Sequence, residues 1–359
     1  MNQPVSMRAP RRKAAAHTIH DVAAMAGVSA ITVSRYFNSP EKVSTAVRER
    51  LKEIVERLGY VPSQVAGGLA SGRGRVVCAI MQNIASATFA DLVKGMTDEL
   101  QASGLQLLLA NAQYSRELEE AAIRTFVGWH PSALILTRDD HTPAAEAMLR
   151  ALNIPVVEAW GLVEDRPFHQ VGFPHAEAGV QLAEHFIAQG AQRIRFVLPR
   201  AQEDFRAIQR AEGYARAMAA AGLVPDVATA QAEDDFEAGA QMLEAHARER
   251  KARRPQAIIF ANDNMAAGAI LEAPALGLRL PQDGAVAGFG DAPISQRLKP
   301  SLTTLRPARY QIGQHAARTI LQMLAASARR DDPAPPVRHV LPCELLVRDS
   351  SVVGSGRRS

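Results

Sequence analysis

Arg35 is the residue of this chain best placed to act on another molecule. In the segment TIHDVAAMAGVSAITVSRYFN (residues 18–38), Val28, Val33, Tyr36 and Phe37 point inward. Ala30, Ile31, Ser34 and Arg35 are left outside on a short helix. An arginine presented this way can donate two hydrogen bonds to guanine O6 and N7 in the major groove. Its small and apolar neighbours can set preference at adjacent base pairs. Thr18, Ser29, Thr32 and Asn38 complete the candidate DNA-binding set.

A second set lies at the ends of apolar runs. Asp263 closes AIIFAND, Asp291 closes GAVAGFGD and Arg138 follows ALILT. Open α/β sheets bind ligands beyond the carboxyl ends of their strands. A guanidinium suits a carboxylate or vicinal hydroxyls through two parallel bonds, and a carboxylate suits hydroxyl donors. Phe89 and Trp160 can offer apolar faces to a sugar-like ring or chain. Glu158 would repel an anion there unless it faces the hydroxyl end or pairs with an arginine.

Helices must position the first set. Ile19, Val22, Ala23 and Ala26 repeat at helical spacing, and Gly27 stands where the chain leaves that helix. Ser29 can cap the next one. Ser44 precedes a third, with Val47, Leu51, Ile54, Val55 and Leu58 on one face and Gly59 at its end. Together they read as a three-helix, helix-turn-helix headpiece.

Strands position the second set. VVCAIM (76–81), LQLLLAN (105–111), ALILT (133–137) and IPVVEAW (154–160) are apolar throughout, with amphipathic stretches between them. RIRFVLP (193–199), AIIFAND (257–263) and GAVAGFGD (284–291) repeat the pattern. Continuous apolar strands alternating with helices imply α/β units with parallel sheets covered on both faces.

Charge separates the two parts. The first 75 residues carry 12 Lys/Arg and 5 Asp/Glu, a net of +7, and the other 284 carry 29 and 32, a net of −3. A basic head suits phosphate contacts, which supply much of DNA affinity. The first 16 residues read as a disordered basic arm without the apolar core of a signal peptide. No apolar run reaches membrane-spanning length. Two cysteines, Cys78 and Cys343, make no disulfide framework and fit a reducing cytoplasm.

Enzyme constellations are missing: there is no GxSxG, HExxH, CxxC or GxxxxGK[ST]. His169, His175 and His185 lack metal-ligand spacing and read as core or surface residues. Asp139-Asp140 and Asp234-Asp235 read as solvated loop charges. Neither a metal nor a cofactor is expected.

The sequence resembles the lactose-repressor (LacI) family of bacterial transcription regulators. Residues 18–38, KVSTAVRERLKEIVERLGYVP at 42–62 and Gly67-Gly68-Leu69-Ala70 carry the likeness, which continues almost to Asp349. Within the family the body is similar to the gluconate-repressor branch, through LILTRDDHTP (134–143), IPVVE (154–158) and VGF (171–173). The resemblance implies a headpiece at 17–61, a hinge at 62–75, and a two-lobed, periplasmic-binding-protein-like core at 76–349 that binds effector and dimerises. Its lobes would be 76–170 with 306–328, and 171–304 with 335–349, followed by a flexible tail at 350–359. By the same resemblance Leu69 wedges into the minor groove of a near-palindromic operator. Ser63 stands where the family usually has Asn, and Gly67 stands near its usual Arg. Two adjacent glycines, at about 1 kcal/mol each relative to alanine, make this hinge less ready to become helical than most. Arg210, in RAEGY, matches the family's pocket arginine, and Asp263 its acceptor of sugar hydroxyls.

The implied protein is a cytoplasmic, homodimeric, ligand-responsive repressor of a sugar-acid (gluconate-like) operon. A regulator answering to a neutral sugar or nucleoside is the alternative. A sugar-transport binding protein or an enzyme would share at most the body.

Overall fold

The computed structural model describes residues 17–62, 75–84, 87–200, 204–329 and 335–352. The expected arm at 1–16, hinge positions 63–74 with Leu69, and residues 353–359 lie outside the described residues. The chain divides into two compact units, residues 1–74 and 75–359.

The first unit is a three-helix headpiece: α1 (Ile19–Ala26), α2 (Ala30–Asn38) and α3 (Thr45–Leu58), with a 3-10 turn at Pro40–Lys42. A reciprocal capping box opens α1. Thr18 Oγ1 accepts from Asp21 N at 3.3 Å, and Thr18 N donates to Asp21 Oδ2 at 2.7 Å. Gly27 ends α1 at φ 63°, a left-handed conformation that lets α2 leave at once. Val22, Ala23, Ala26, Val33, Leu51 and Ile54 form the buried core, with half-buried Tyr36 and Phe37 against it. Arg50 Nη1 donates to the Ala26 carbonyl at 3.0 Å and ties α3 to the end of α1.

The second unit opens with β1 (Val76–Met81), α4 (Ala87–Ala102), β2 (Gln106–Asn111), α5 (Arg116–Val127), β3 (Ala133–Leu136), α6 (Pro143–Ala151), β4 (Val156–Gly161) and β5 (His169–Phe173). It continues through α7 (His175–Ile187), β6 (Ile194–Leu198), α8 (Phe205–Ala220), β7 (Asp226–Thr229), α9 (Asp235–Arg248), β8 (Ala257–Phe260), α10 (Asp263–Glu272), β9 (Ala285–Phe289) and β10 (Thr303–Pro307). It closes with α11 (Arg309–Arg329), β11 (Arg338–Val340) and β12 (Cys343–Leu346). The strands form two six-stranded sheets, ordered β11-β5-β4-β3-β1-β2 and β12-β10-β9-β8-β6-β7. Every neighbouring pair is parallel except β10 with β12. The central strands β3, β4, β8 and β9 are buried along their whole length, as their unbroken apolar runs require. Each large core side chain, such as Phe173, Phe196 or Phe260, contributes about 1.5–3 kcal/mol on burial.

Pairing revises the expected lobes. β5 belongs to the first sheet, so the chain crosses after Phe173 rather than at 171. β10 stays in the second sheet, while α11 packs on α4, which puts the next crossing near 308. β11 pairs with β5 through Arg338↔Gln170 and Val340↔Gly172. The segment from 335 therefore begins in the first lobe and enters the second only at β12. The expected flexible tail also starts too early. Ser350 and Ser351 are fully buried, with Ser350 Oγ bonded to Thr303 N and to the Val286 carbonyl.

In the second lobe α7 and α8 touch backbone to backbone. A Cβ built on Gly213 would overlap the Ala176 carbonyl oxygen, and one on Gly179 that of Arg210.

Candidate nucleic-acid interface and ligand cleft

On the headpiece, α2 presents Ile31, 64% exposed, together with exposed Ser34, Arg35 and Asn38. Arg35 has no ion pair among the described residues, so its guanidinium is available to a partner. Ser29 caps the helix: its Oγ accepts from Thr32 N at 3.2 Å and lies 3.0 Å from Thr32 Oγ1. Asn38 Nδ2 donates to the Ser34 carbonyl at 3.0 Å. The Asp21 carboxyl is held below the usual range by its bonds with Thr18. Ala30 departs from expectation. It is half-buried and packs on the headpiece core, so the outward apolar contact rests on Ile31.

In the second unit a cleft of about 250 Å³ lies at the carboxyl ends of the two sheets. Asn83, Phe89, Tyr114 and Trp160 line it from the first lobe, and Asp204, Arg206, Arg210, Asp235, Asn262, Asp263, Asn264 and Phe289 from the second. Trp160 holds φ 88° and Tyr114 φ 64°, strained values that the packing around the cleft maintains. Asp204 caps α8 by accepting from Ala207 N at 3.1 Å, and Asn262 caps α10. Together with Asp235, the first residue of α9, they bring three helix N-termini to the cleft, ends that favour anions.

Arg210 is 4% exposed. It donates from Nη2 to the Ala261 carbonyl at 2.9 Å and from Nη1 to His175 Nδ1 at 3.1 Å, and lies 4.1 Å from the Phe289 ring centroid. Arg206, one turn earlier, is 3% exposed, and its Nε and Nη2 have no partner. Burial pulls the pKa of both guanidiniums down. Neither forms an ion pair among the described residues, and a buried unpaired charge is costly. Burial pushes the Asp235 carboxyl up, against the Asn262 bond that lowers it. The cleft thus offers cationic donors for an anionic group beside carboxylates that can accept from hydroxyls.

The structure brings Phe89, Trp160, Arg210 and Asp263 to the cleft but gives Asp263 another task. Its carboxylate accepts from Ala292 N at 2.7 Å, Ser295 Oγ at 2.7 Å and Thr304 Oγ1 at 2.6 Å. These bonds fix the loop after β9, so its oxygens are already engaged by the protein. Arg138 does not line the cleft. It is paired with Asp140 and donates to the Tyr114 carbonyl at 2.6 Å, bracing that turn. Asp291 is also outside, clamped by Arg306 and Arg348 at 2.7 Å each. Burial raises its carboxyl, but those two bonds outweigh it and hold the pKa below the usual range. Glu158 lies outside too, bound by Arg166, Gln170 and His141, which removes the repulsion it posed.

Arg206, Tyr114, Asn83, Asp204, Asp235 and Phe289 escaped the sequence reading. For Arg206 the signal was present: it stands four residues before Arg210 on one amphipathic helix. Asp235 read as a loop charge but opens α9, and Asp139, its counterpart in the other pair, is 7% exposed. Among the described residues no cluster of three metal-ligating side chains occurs, and no helix is long and apolar enough to cross a membrane.

His175, buried against Arg210, gives the core a pH dependence. Burial, then Arg210 and Arg206, hold the His175 pKa well below its ordinary 6.5. The folded state refuses a proton that the unfolded chain accepts, so this stability is present above about pH 6.5 and is lost as pH falls below it. Burial gives His169, His185 and His246 the same direction. His141 has the opposite sign. Burial opposes its charge, but bonds to Glu119 and Glu158 raise it to about 9, and its contribution is lost only as pH rises through that value. His175→Asn is expected to flatten the fall in urea midpoint on going from about pH 7.5 to about 5.5. An unchanged slope would assign that dependence to the other histidines.

Comparison with known proteins agrees with this geometry. Residues 18–63 match the family described as bacterial regulatory proteins, lacI family, and residues 183–351 match a periplasmic binding protein-like domain. The HTH-type transcriptional regulator GntR of Escherichia coli (strain K12) is 32% identical over 307 residues, covering 84% of this chain and 90% of its own. A crystal structure of a LacI-family transcriptional regulator from Silicibacter pomeroyi superposes with a TM-score of 0.84 at 29% identity, covering 93% of this chain and 99% of the other. The lac repressor dimer bound to operator and the anti-inducer ONPF superposes with a TM-score of 0.75 at 25% identity, covering 93% and 98%.

Proposed function

The chain belongs to the LacI family of DNA-binding transcriptional regulators, and on that premise we propose that its effector is a sugar acid of the gluconate type. It acts as a homodimeric repressor in the cytoplasm, reading a near-palindromic operator with two headpieces.

One observation carries the effector assignment. Arg206 and Arg210 are both buried at the cleft, neither forms an ion pair within 4 Å among the described residues, and Arg206 Nε and Nη2 and Arg210 Nε have no hydrogen-bond acceptor. A carboxylate from the ligand supplies the missing acceptor, and charge-assisted bonds to guanidinium are the strong ones. Asp204 and Asp235 line the same cleft, and their carboxylates suit hydroxyl donors. The gluconate-repressor-like segments at 134–143 and 154–173 point the same way. Those carboxylates would also serve a neutral sugar, but a neutral sugar offers no charged acceptor to the unpartnered guanidinium nitrogens.

Calorimetric titration with gluconate, ketogluconates, ribose and a purine nucleoside tests the reading. Gluconate or a ketogluconate is expected to bind, and Arg210→Met to weaken that binding by about 2 kcal/mol or more, some thirtyfold. Tight binding of ribose or the nucleoside with none of the acids would overturn it.

A further inference from the structure

We infer that Arg138, though outside the cleft, is a positioning residue for effector recognition: it holds Tyr114 so that the tyrosine hydroxyl is presented to the effector. The inference rests on the reading of this cleft as the effector site. β2 passes into α5 through a four-residue turn, closed by a bond from Ser115 N to the Ala112 carbonyl at 2.8 Å. Its two central residues are Gln113 at φ 51° and Tyr114 at φ 64°. Glycine and asparagine suit that left-handed region, and neither stands there. Two consecutive side chains in it persist only where the surrounding structure holds them.

The holds are visible. Ala112 N donates to the Met81 carbonyl at 2.7 Å, and Ser115 Oγ accepts from Leu118 N at 3.1 Å, which fixes both ends of the turn. Arg138 fixes its middle. From the loop after β3 it reaches past the end of β1, where Nη1 donates to Gln82 Oε1 at 3.4 Å and to the Tyr114 carbonyl at 2.6 Å. Its Nε and Nη2 bond to Asp140, and the side chain is buried, so the guanidinium is itself anchored.

The strained turn presents a free group. Tyr114 lines the cleft, and its hydroxyl has no hydrogen-bond partner among the described residues. It lies within electrostatic reach of Asp204, Arg206, Arg210 and Asp235, which line the same space. Burial pushes the phenol well above its ordinary 10, so it keeps its proton. A neutral hydroxyl donates and accepts, whereas a guanidinium only donates and a carboxylate only accepts. Tyr114 therefore fits an effector hydroxyl in either direction, beside the carboxylate that the arginines take.

Calorimetric titration with gluconate and urea unfolding of the full-length protein test the assignment. Tyr114→Phe keeps the backbone and the ring. It is expected to bind gluconate about tenfold more weakly at an unchanged urea midpoint. Arg138→Met is expected to weaken gluconate binding about tenfold in the parent and less than threefold in the Tyr114→Phe background, where the hydroxyl it places is already gone. A merely structural Arg138 would cost the same factor in both. Gln113→Gly, at an exposed position outside the cleft, is expected to raise the urea midpoint and leave gluconate binding unchanged. Binding by Tyr114→Phe within twofold of the parent, equal losses from Arg138→Met in the two backgrounds, or a lowered midpoint for Gln113→Gly would each overturn the proposal. If no sugar acid binds the parent, the effector reading fails instead, and the same cycle is run with ribose or the purine nucleoside, whichever binds. The urea comparison of Gln113→Gly needs no ligand and decides the strain in every case.

Discussion

Arg35→Ala is expected to weaken binding to the cognate operator by about 1–3 kcal/mol, roughly one to two orders of magnitude, and to relax preference at one base pair in each half-site. The side chain is exposed on α2, whose inner face is pinned by Val33 and by Tyr36 and Phe37, with ring centroids 4.9 Å apart. The substitution removes no core contact, so the thermal midpoint of the headpiece should stay put. Fluorescence anisotropy with the selected operator and with a scrambled duplex, at one fixed salt concentration, separates base reading from phosphate contact. Equal losses on both duplexes would mark Arg35 as a phosphate ligand instead.

Asp263→Ala is expected to destabilise the core without any ligand present. The carboxylate is 2% exposed and accepts three hydrogen bonds, from Ala292 N, Ser295 Oγ and Thr304 Oγ1. Its removal leaves three donors without an acceptor, two of them buried at about 1–3 kcal/mol each, for a total on the order of 3 kcal/mol. Asp263→Asn keeps one acceptor oxygen and should lose less. Urea unfolding of the ligand-free protein checks both. A variant within about 0.5 kcal/mol of the parent would show that these three bonds do not stabilise the loop.

The headpiece was legible because its determinants are local. A capping box, a turn glycine and a stripe of apolar side chains all lie within twenty residues, and they leave Ile31, Ser34 and Arg35 outside. Ala30 misled because a small residue at the first position of a helix can face either way. In the core, the strands announced themselves as apolar runs, but their pairing did not. β11 and β12 are three and four residues long, too short to show which sheet takes them. Strand-end position picked out the right region and, in two cases, the wrong side chain. Arg138 and Asp291 carry charge at strand ends, yet Asp140 in one case and Arg306 with Arg348 in the other already answer it. The pairing of Asp291 is tertiary, and no spacing along the chain encodes it, whereas Asp140 stands only two residues from Arg138. Arg206 differs: its four-residue offset from Arg210 was visible, and only its lack of a partner needed the fold.

The backbone contact at Gly179 and Gly213 bears on how such a protein changes its diet. α7 and α8 meet backbone to backbone, so a side chain at either glycine would have to push the two helices apart. Both cleft arginines stand on α8, so their placement depends on that close approach. Selection for a new inducer, in nature or in a biosensor library, must then exchange the side chains at Asp204, Asp235, Asn83 or Phe89 around a fixed pair of cations. Libraries that leave both glycines untouched should yield folded variants, whereas a single methyl at either position should cost the whole lobe its shape.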